Sequence, residues 1–132
     1  MKRLISIILV ILLMCSTLCV AFADVNSRAS RVISSTTVGI SLSGGKVYGM
    51  GDIQTITTAD KLGMSAMALY VKDGSSWTRI ASASSKYGYN DDSYSHTISA
   101  TAVDGGEYKM VCTFYGKIGD LTDSLTQSEY YP

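Results

Sequence analysis

The sequence predicts an all-β domain of seven antiparallel strands folded as two packed sheets, and three features support this. Glycine, serine, threonine and β-branched residues dominate after residue 31, and turn signals recur at spacings that suit a meandering antiparallel sheet. Several segments alternate apolar and polar residues, whereas no window shows the 3.6-residue apolar period of an amphipathic helix. Seven short strands that each have one apolar face need a second sheet to cover that face.

Two N-terminal segments are expected to precede the predicted sandwich domain, residues 32–132. Two basic residues are followed by an unbroken apolar run, Leu4–Met14, and Ala21–Ala23 provides the small residues of a cleavage site. The apolar run is too short for a membrane span. We therefore predict a cleaved signal peptide over residues 1–23 and a flexible polar lead over residues 24–31. The protein is expected to be secreted and extracellular, with no stable membrane insertion after cleavage.

The first hairpin is predicted by an alternating strand and a glycine pair. Val38–Leu42 alternates apolar and polar residues along the first strand. Gly44-Gly45 predicts a primed two-residue turn, because both central positions of such a turn need a positive φ. Gly49 and Gly51 interrupt the second strand, which indicates either a bulge or a close approach of the backbone to a neighbour.

Turn signals separate the remaining strands. Asp73-Gly74 ends the third strand, Asp104–Gly106 precedes the sixth, and Lys117–Asp120 precedes the seventh. Thr58–Leu62, in which Thr58 can cap a single turn, is the one helical candidate. The predicted strands are Val32–Ser43, Lys46–Ile56, Ser65–Lys72, Trp77–Ser84, Tyr94–Val103, Tyr108–Tyr115 and Leu121–Ser128.

A short motif indicates the type of sandwich. Asp104-x-Gly106-x-Tyr108 resembles the tyrosine corner of immunoglobulin-like and fibronectin-type domains, where a tyrosine at the start of the sixth strand bonds to upstream backbone. Met110 stands where antibody domains have a cysteine, so the fibronectin-like version without an inter-sheet disulfide fits better. On this segment and the Asp73–Trp77 hairpin, the whole chain after residue 23 also looks similar to small uncharacterised secreted proteins of Gram-positive bacteria. That resemblance implies a fold and an extracellular location, and brings no established activity or site residues.

Charge and cysteine content narrow the classes of function. After residue 23 the chain has nine basic and eleven acidic residues and no basic run, so nucleic acid is not an expected partner. A cationic membrane-active peptide is not expected either, because such a peptide has more basic than acidic residues. Cys112 is the one cysteine beyond the predicted signal, so no intramolecular disulfide can form there, which favours export from a bacterium.

The stretch Tyr87–Tyr94 has the composition of a binding loop between the fourth and fifth strands. Aromatic rings on a loop can stack on sugar faces or peptide side chains, and neighbouring Asn and Asp side chains supply hydrogen bonds. The alternative is an ordinary polar loop whose tyrosines cover the edge of the sandwich. A cell-surface glycan or protein is the expected partner. The predicted ligand-binding residues are Tyr87, Tyr89, Asn90, Asp91 and Tyr94.

Other chemistries lack the residues they need. Asn90–Asp92 offers calcium fewer oxygens than the about six to eight of a typical site, so we expect turn acids and no metal or cofactor. His96 and Cys112 have matching strand parity and could form a Cys–His pair across neighbouring strands. The mid-strand position of Cys112, however, predicts a buried thiol with a raised pKa. No catalytic residue is expected, and the chain is predicted not to be an enzyme.

Three functions remain, in order of preference. The first is a secreted, non-enzymatic interaction module. The second is a secreted bacteriocin-like antagonist or toxin, a class in which small exported chains also occur. The third is a secreted hydrolase, which ranks last because its nucleophile and base have no supporting context.

Overall fold

A computed structural model describes residues 31–132, so the predicted signal peptide and residues 24–30 of the predicted lead lie outside the described residues. Within the described range, no helix is long and apolar enough to cross a membrane. The strands are β1 (Ile33–Ser43), β2 (Lys46–Ala59), β3 (Lys61–Asp73), β4 (Ser76–Gly88), β5 (Asp91–Thr101), β6 (Tyr108–Ile118) and β7 (Leu121–Tyr131).

The seven strands form two antiparallel sheets that pack face to face. One sheet has the order β1-β2-β5 and the other has the order β4-β3-β6-β7. The fourth strand pairs with the third, whereas in constant-type immunoglobulin domains it joins the sheet of the first two. The predicted all-β, fibronectin-like sandwich of seven antiparallel strands is therefore confirmed.

The passage from β2 to β3 differs from the prediction. The helical turn expected over Thr58–Leu62 is wrong, because β2 continues to Ala59 and β3 begins at Lys61. Asp60 alone crosses between the sheets. Its N–H donates to the Lys117 carbonyl at 2.8 Å, and its carboxylate accepts a hydrogen bond from the Gly119 N–H at 2.7 Å. These two bonds to the β6–β7 hairpin give the Asp60 N–H and carboxylate their hydrogen-bond partners, so no helical turn is needed between β2 and β3.

Both hairpin glycines and the alternating strands behave as predicted. Gly44 and Gly45 have φ values of 58° and 76°, which the primed turn requires. The inward side chains of β6 are fully buried, and they meet inward side chains from β2 and β3. The fully buried core side chains on these three strands are Val47, Ile53, Ala59, Leu62, Met64, Met67, Leu69, Tyr108, Met110, Cys112 and Phe114.

Gly49 and Gly51 mark the place where the two sheets approach closely. A Cβ on Gly49 would overlap the Met110 sulfur, and a Cβ on Gly51 would lie 3.0 Å from the Cys112 Sγ. Neither glycine has a positive φ, and the pairing of β2 with both neighbours continues without a bulge here. Of the two alternatives predicted for these glycines, the close approach is the one found.

The tyrosine corner is present. The Tyr108 hydroxyl accepts a hydrogen bond from the Val103 N–H at 2.7 Å and donates to the Val103 carbonyl at 3.2 Å. The Gly106 N–H donates to the same carbonyl at 2.9 Å. A Cβ on Gly106 would lie 2.7 Å from the Tyr108 hydroxyl, which explains the glycine of the motif. The corner thus ties the β5–β6 connection to the buried start of β6.

Tyr108→Phe is expected to lower the free energy of unfolding by about 1–2 kcal/mol, because it leaves the Val103 N–H without its partner. Urea unfolding followed by circular dichroism measures the change. Tyr89→Phe is the control, since Tyr89 is 62% exposed and should change stability by less than about 0.5 kcal/mol. Equal stabilities for wild type and Tyr108→Phe would contradict the corner bond.

Gly49→Ala is expected to destabilise the protein by about 1–3 kcal/mol, because the added methyl group must displace Met110 from a packed core. Gly39→Ala is the matched control, because a Cβ there meets only the Met50 Cε at 3.7 Å. That control should be neutral or stabilising by up to about 1 kcal/mol. Thermal unfolding of both variants tests the pair, and similar midpoints would show that the sheets are not in close contact at Gly49.

Candidate functional site

The connection between β4 and β5 is shorter than the predicted loop Tyr87–Tyr94. Strand β4 runs to Gly88 and β5 begins at Asp91, so the loop itself is Tyr89-Asn90. Asn90 has a φ of 53°, a left-handed conformation that asparagine tolerates well. The Asp91 Oδ1 accepts hydrogen bonds from the N–H groups of Asp92 at 2.7 Å and Ser93 at 3.4 Å. This carboxylate therefore organises the turn.

The predicted ligand-binding residues do not share one surface. Tyr89 lies at the exposed tip of the loop. Tyr94 pairs with the buried Ile53 and packs against the core, and its ring lies against Gly88. Tyr87 lies on the solvent side of the four-stranded sheet, which we call the outer face. The structure thus brings Tyr87 together with residues of other strands and separates it from Tyr94.

One end of the outer face has a lysine and two tyrosines in contact, the Lys61 cluster (Lys61, Tyr87 and Tyr115). The two tyrosines flank Gly63 in one row of the sheet, with ring centroids 5.9 Å apart in an edge-on arrangement. The Lys61 Nζ lies 4.1 Å from the Tyr87 ring centroid and 5.6 Å from that of Tyr115. Gly63 has a φ of 152°, and a Cβ there would overlap the Lys86 carbonyl oxygen. This glycine therefore allows the β3 and β4 backbones to approach closely beside Tyr87.

The opposite end of the outer face has a second group, the Lys109 cluster (Tyr70, Trp77, Lys109 and Tyr130). The Lys109 Nζ lies 4.9 Å from the ring centroids of both Tyr70 and Trp77. Trp77 meets Tyr130 edge-on with centroids 6.0 Å apart, and Tyr130 is 62% exposed. Cation–π contacts of this kind contribute about 0.5–1 kcal/mol each at exposed sites. They hold the rings in place while leaving part of each ring in contact with solvent.

A shallow trough of about 470 Å³ lies between the two clusters. Lys109 and Tyr115 are six residues apart on β6, which at about 3.3 Å per residue separates the clusters by about 20 Å. Most residues that line the trough have small or short side chains, so a ligand could lie close to the sheet. These are Ala66, Ala68, Ser82, Ala83, Ser84, Val111 and Thr113, and the larger residues Met67, Tyr70 and Arg79 complete the lining.

Cys112 and His96 do not form the Cys–His pair across neighbouring strands that strand parity allowed. His96 lies on β5 of the three-stranded sheet, whereas Cys112 lies on β6 of the other. The cysteine is fully buried, and burial raises the pKa of its thiol to about 11. A thiol with this pKa is almost entirely protonated at neutral pH and is a poor nucleophile.

The β4–β5 turn and the start of β5 have two adjacent acidic residues, Asp91 and Asp92. Among residues 31–132, no three His, Cys, Asp or Glu side chains converge as a metal site would require. The Asp91 carboxylate bonds its own turn, and the Asp52 carboxylate accepts a hydrogen bond from the Ser95 hydroxyl. Both groups are therefore accounted for by local structure.

Most of the outer-face residues were not among those predicted from the sequence. Tyr115 and Lys109 belong to the outward half of the alternating sixth strand. Their partners Tyr87, Lys61 and Trp77 come from other strands, and only the sheet order brings these residues together. The available signal was the period-two placement of Lys and Tyr at outward positions of β6.

Comparisons with known proteins add no functional assignment. No known family profile matches the chain, and no characterised protein is significantly similar to it in sequence. The solution structure of CsgH from R. palustris gives a TM-score of 0.45 at 15% identity, covering 70% of this chain and 88% of that one. A protein from Archaeoglobus fulgidus gives 0.42 at 5% identity, covering 75% and 94%. Catalytically inactive OgpA from Akkermansia muciniphila, in complex with an O-glycopeptide, gives 0.35 at 13%, covering 80% and 33%.

The Cys112 thiol of the native protein is expected to react with a disulfide reagent at pH 8 at least about 100-fold more slowly than in 8 M urea. At a pKa of about 11, only about one thiol in a thousand is ionised at this pH, and the sulfur is also shielded from the reagent. Absorbance of the released thiolate follows the reaction. Similar rates in the native and unfolded states would contradict a core role for Cys112 and reopen thiol chemistry.

Proposed function

We propose that this chain is a secreted, non-enzymatic binding module that holds an extended ligand along the outer face of its four-stranded sheet. The observation that carries the proposal is the pair of aromatic–lysine clusters at the two ends of one trough. Secretion rests on the signal peptide predicted over residues 1–23. A cell-surface glycan or protein is the partner that this location favours.

The spacing of the clusters favours a ligand with repeating units. About 20 Å separates the two groups of rings, which is more than one small molecule can bridge. A polymer that reaches both clusters binds them as linked sites, so its affinity exceeds that of either cluster alone. The rings lie on strands of a four-stranded sheet, and sites on strands hold their geometry better than sites on loops.

The predicted loop residues extend this surface at one end. Tyr87 is part of the Lys61 cluster, and Tyr89 and Asn90 lie beyond it at the exposed tip of the β4–β5 turn. The hydrogen bonds of Asp91 to the backbone hold that turn in shape. We therefore keep Tyr87, Tyr89 and Asn90 as ligand contacts and assign Asp91 a positioning role. Tyr94 supports the turn from the inside through its packing on Gly88.

The described reactive groups support a non-enzymatic role. The thiol of Cys112 is buried with a raised pKa, which disfavours a nucleophile. The carboxylates of Asp60 and Asp91 bind backbone N–H groups, and that of Glu107 forms an ion pair with Lys72. A general acid–base pair needs carboxyl groups that face a shared cavity. Glu107 lines a pocket with Asp104, but its carboxylate is held by Lys72, and the carboxylates of Asp60 and Asp91 are held by turn backbone.

Removing the two tyrosines of the Lys61 cluster is expected to weaken binding strongly while the fold survives. The protein, purified from the culture medium of a bacterial secretion host, is mixed with protease-treated Gram-positive cell walls, and co-sedimentation gives the affinity. Tyr87→Ala combined with Tyr115→Ala should weaken binding at least tenfold, because stacking surface is lost from a half-buried position.

The control for this test is Tyr48→Ala, which removes a half-buried tyrosine from the three-stranded sheet and should leave binding unchanged. Circular dichroism confirms that each variant is folded. Unchanged binding by the double variant would place the site elsewhere. A wild-type protein that ignores cell walls but releases dye from lipid vesicles would instead favour a secreted antagonist.

A further inference from the structure

The basic residues of the described chain are concentrated on the outer face. By their register in β3, β4 and β6, Lys61, Lys72, Arg79, Lys109 and Lys117 all project to this side. Glu107 is the one carboxylate of residues 31–132 that meets them, and it pairs with Lys72 at 2.9 Å. This local excess is the reverse of the charge balance of the chain after residue 23, which is slightly acidic.

The acidic residues lie mainly at turns or on the other sheet. Asp73 and Asp104 are at turns beside β3 and β6, Asp91 is in the β4–β5 turn, and Asp52 is on β2. Four outer-face cations, those other than Lys72, have no carboxylate partner among the described residues. Asp60 is next to Lys61 in the chain, and Asp120 follows Lys117 in the β6–β7 turn. Asp123 and Glu129 lie on β7 at positions paired with inward residues of β6. The trough itself is lined by Arg79 and by no carboxylate, and because exposed charges act over about 8–10 Å at moderate ionic strength, the local potential there is positive.

Each cluster combines the two groups that recognise a carboxylated sugar. The exposed part of a tyrosine or tryptophan ring can pack against the apolar face of a sugar. The lysine ammonium beside it has donors left for a carboxylate, and such charge-assisted hydrogen bonds are the stronger kind. In the Lys61 cluster the ammonium lies 4.1 Å from the Tyr87 ring centroid, so one sugar can contact both.

We propose that the outer face binds an acidic polysaccharide, with sugar rings stacked at the two clusters and carboxylates paired with Lys61 and Lys109. This inference rests on the proposed binding function and names its ligand class. The trough between the clusters has mostly small side chains, and the hydroxyl groups of its serine and threonine residues can bond to the sugars that cross it. A nucleic acid is disfavoured because the sequence has no run of basic residues and the chain after residue 23 has more acidic than basic residues.

The test measures the affinity of the secreted, purified protein for polygalacturonate, alginate and hyaluronate by isothermal titration calorimetry. Fully methyl-esterified polygalacturonate is the neutral counterpart with the same backbone, and an oligothymidylate represents single-stranded DNA. At least one acidic polysaccharide should bind tenfold or more tightly than the neutral ester in 50 mM salt. Its affinity should fall in 500 mM salt, because the interaction is between exposed charges.

Charge variants connect this binding to the two lysines. Lys61→Gln and Lys109→Gln should each weaken binding of the acidic polymer at least fivefold. Lys109→Arg, which keeps the charge, should retain most of it. Lys46→Gln is the matched control, because it removes an exposed charge from the three-stranded sheet and should have less than a twofold effect.

Three results would overturn the assignment. The first is that the acidic polymer and its neutral ester bind with equal affinity and the lysine variants have no effect. The second is that the oligothymidylate binds more tightly than any acidic polysaccharide. The third is that none of the three acidic polymers binds. If any of these results is found while cell-wall binding still depends on Tyr87 and Tyr115, the binding function stands and only the ligand class is wrong. If the protein also fails to bind cell walls, both the binding function and the ligand class are wrong.

Discussion

The contact between the two sheets at Gly49 and Gly51 is the constraint on which the rest of the structure depends. The described domain has no disulfide, so the distance between its sheets is set by packing alone. Met110 and Cys112 fill the space that the two missing side chains leave on β2. Polarisable sulfur side chains adapt well to such irregular gaps. With the sheets held at this distance, β6 is buried on its inner side and its outward residues have fixed positions.

Alternation along β6 then couples the core to the candidate site. Every second residue from Tyr108 to Phe114 is fully buried, so the residues between them must face solvent. Lys109 and Tyr115 are held at opposite ends of the outer face by this rule, and a slip of one residue would exchange core and surface throughout the strand. The tyrosine corner prevents such a slip, because Tyr108 is bonded to Val103 at the start of the strand.

Much of the fold could be predicted from local sequence, whereas the candidate site could not. The turn at Gly44-Gly45, the alternation of β6 and the corner at Tyr108 are features of a few consecutive residues, and all three are found. The Lys61 cluster combines β3, β4 and β6, so its recognition needs the order of strands in the sheet. The crossing at Asp60 was missed for a similar reason, because its hydrogen-bond partners lie more than fifty residues later in the chain.

Protection against aggregation is an alternative reason for the lysines of the outer face, since charged side chains on exposed sheets discourage unwanted pairing. It does not explain the trough. Ala66, Ala68, Ser82 and Ser84 are poor choices for a sheet surface, where β-branched and aromatic residues stabilise strands better by up to about 1 kcal/mol each. A surface selected only for stability and solubility would have threonine or valine at these positions. A ligand that lies close to the sheet accounts for both the small residues of the trough and the aromatic–lysine clusters at its two ends.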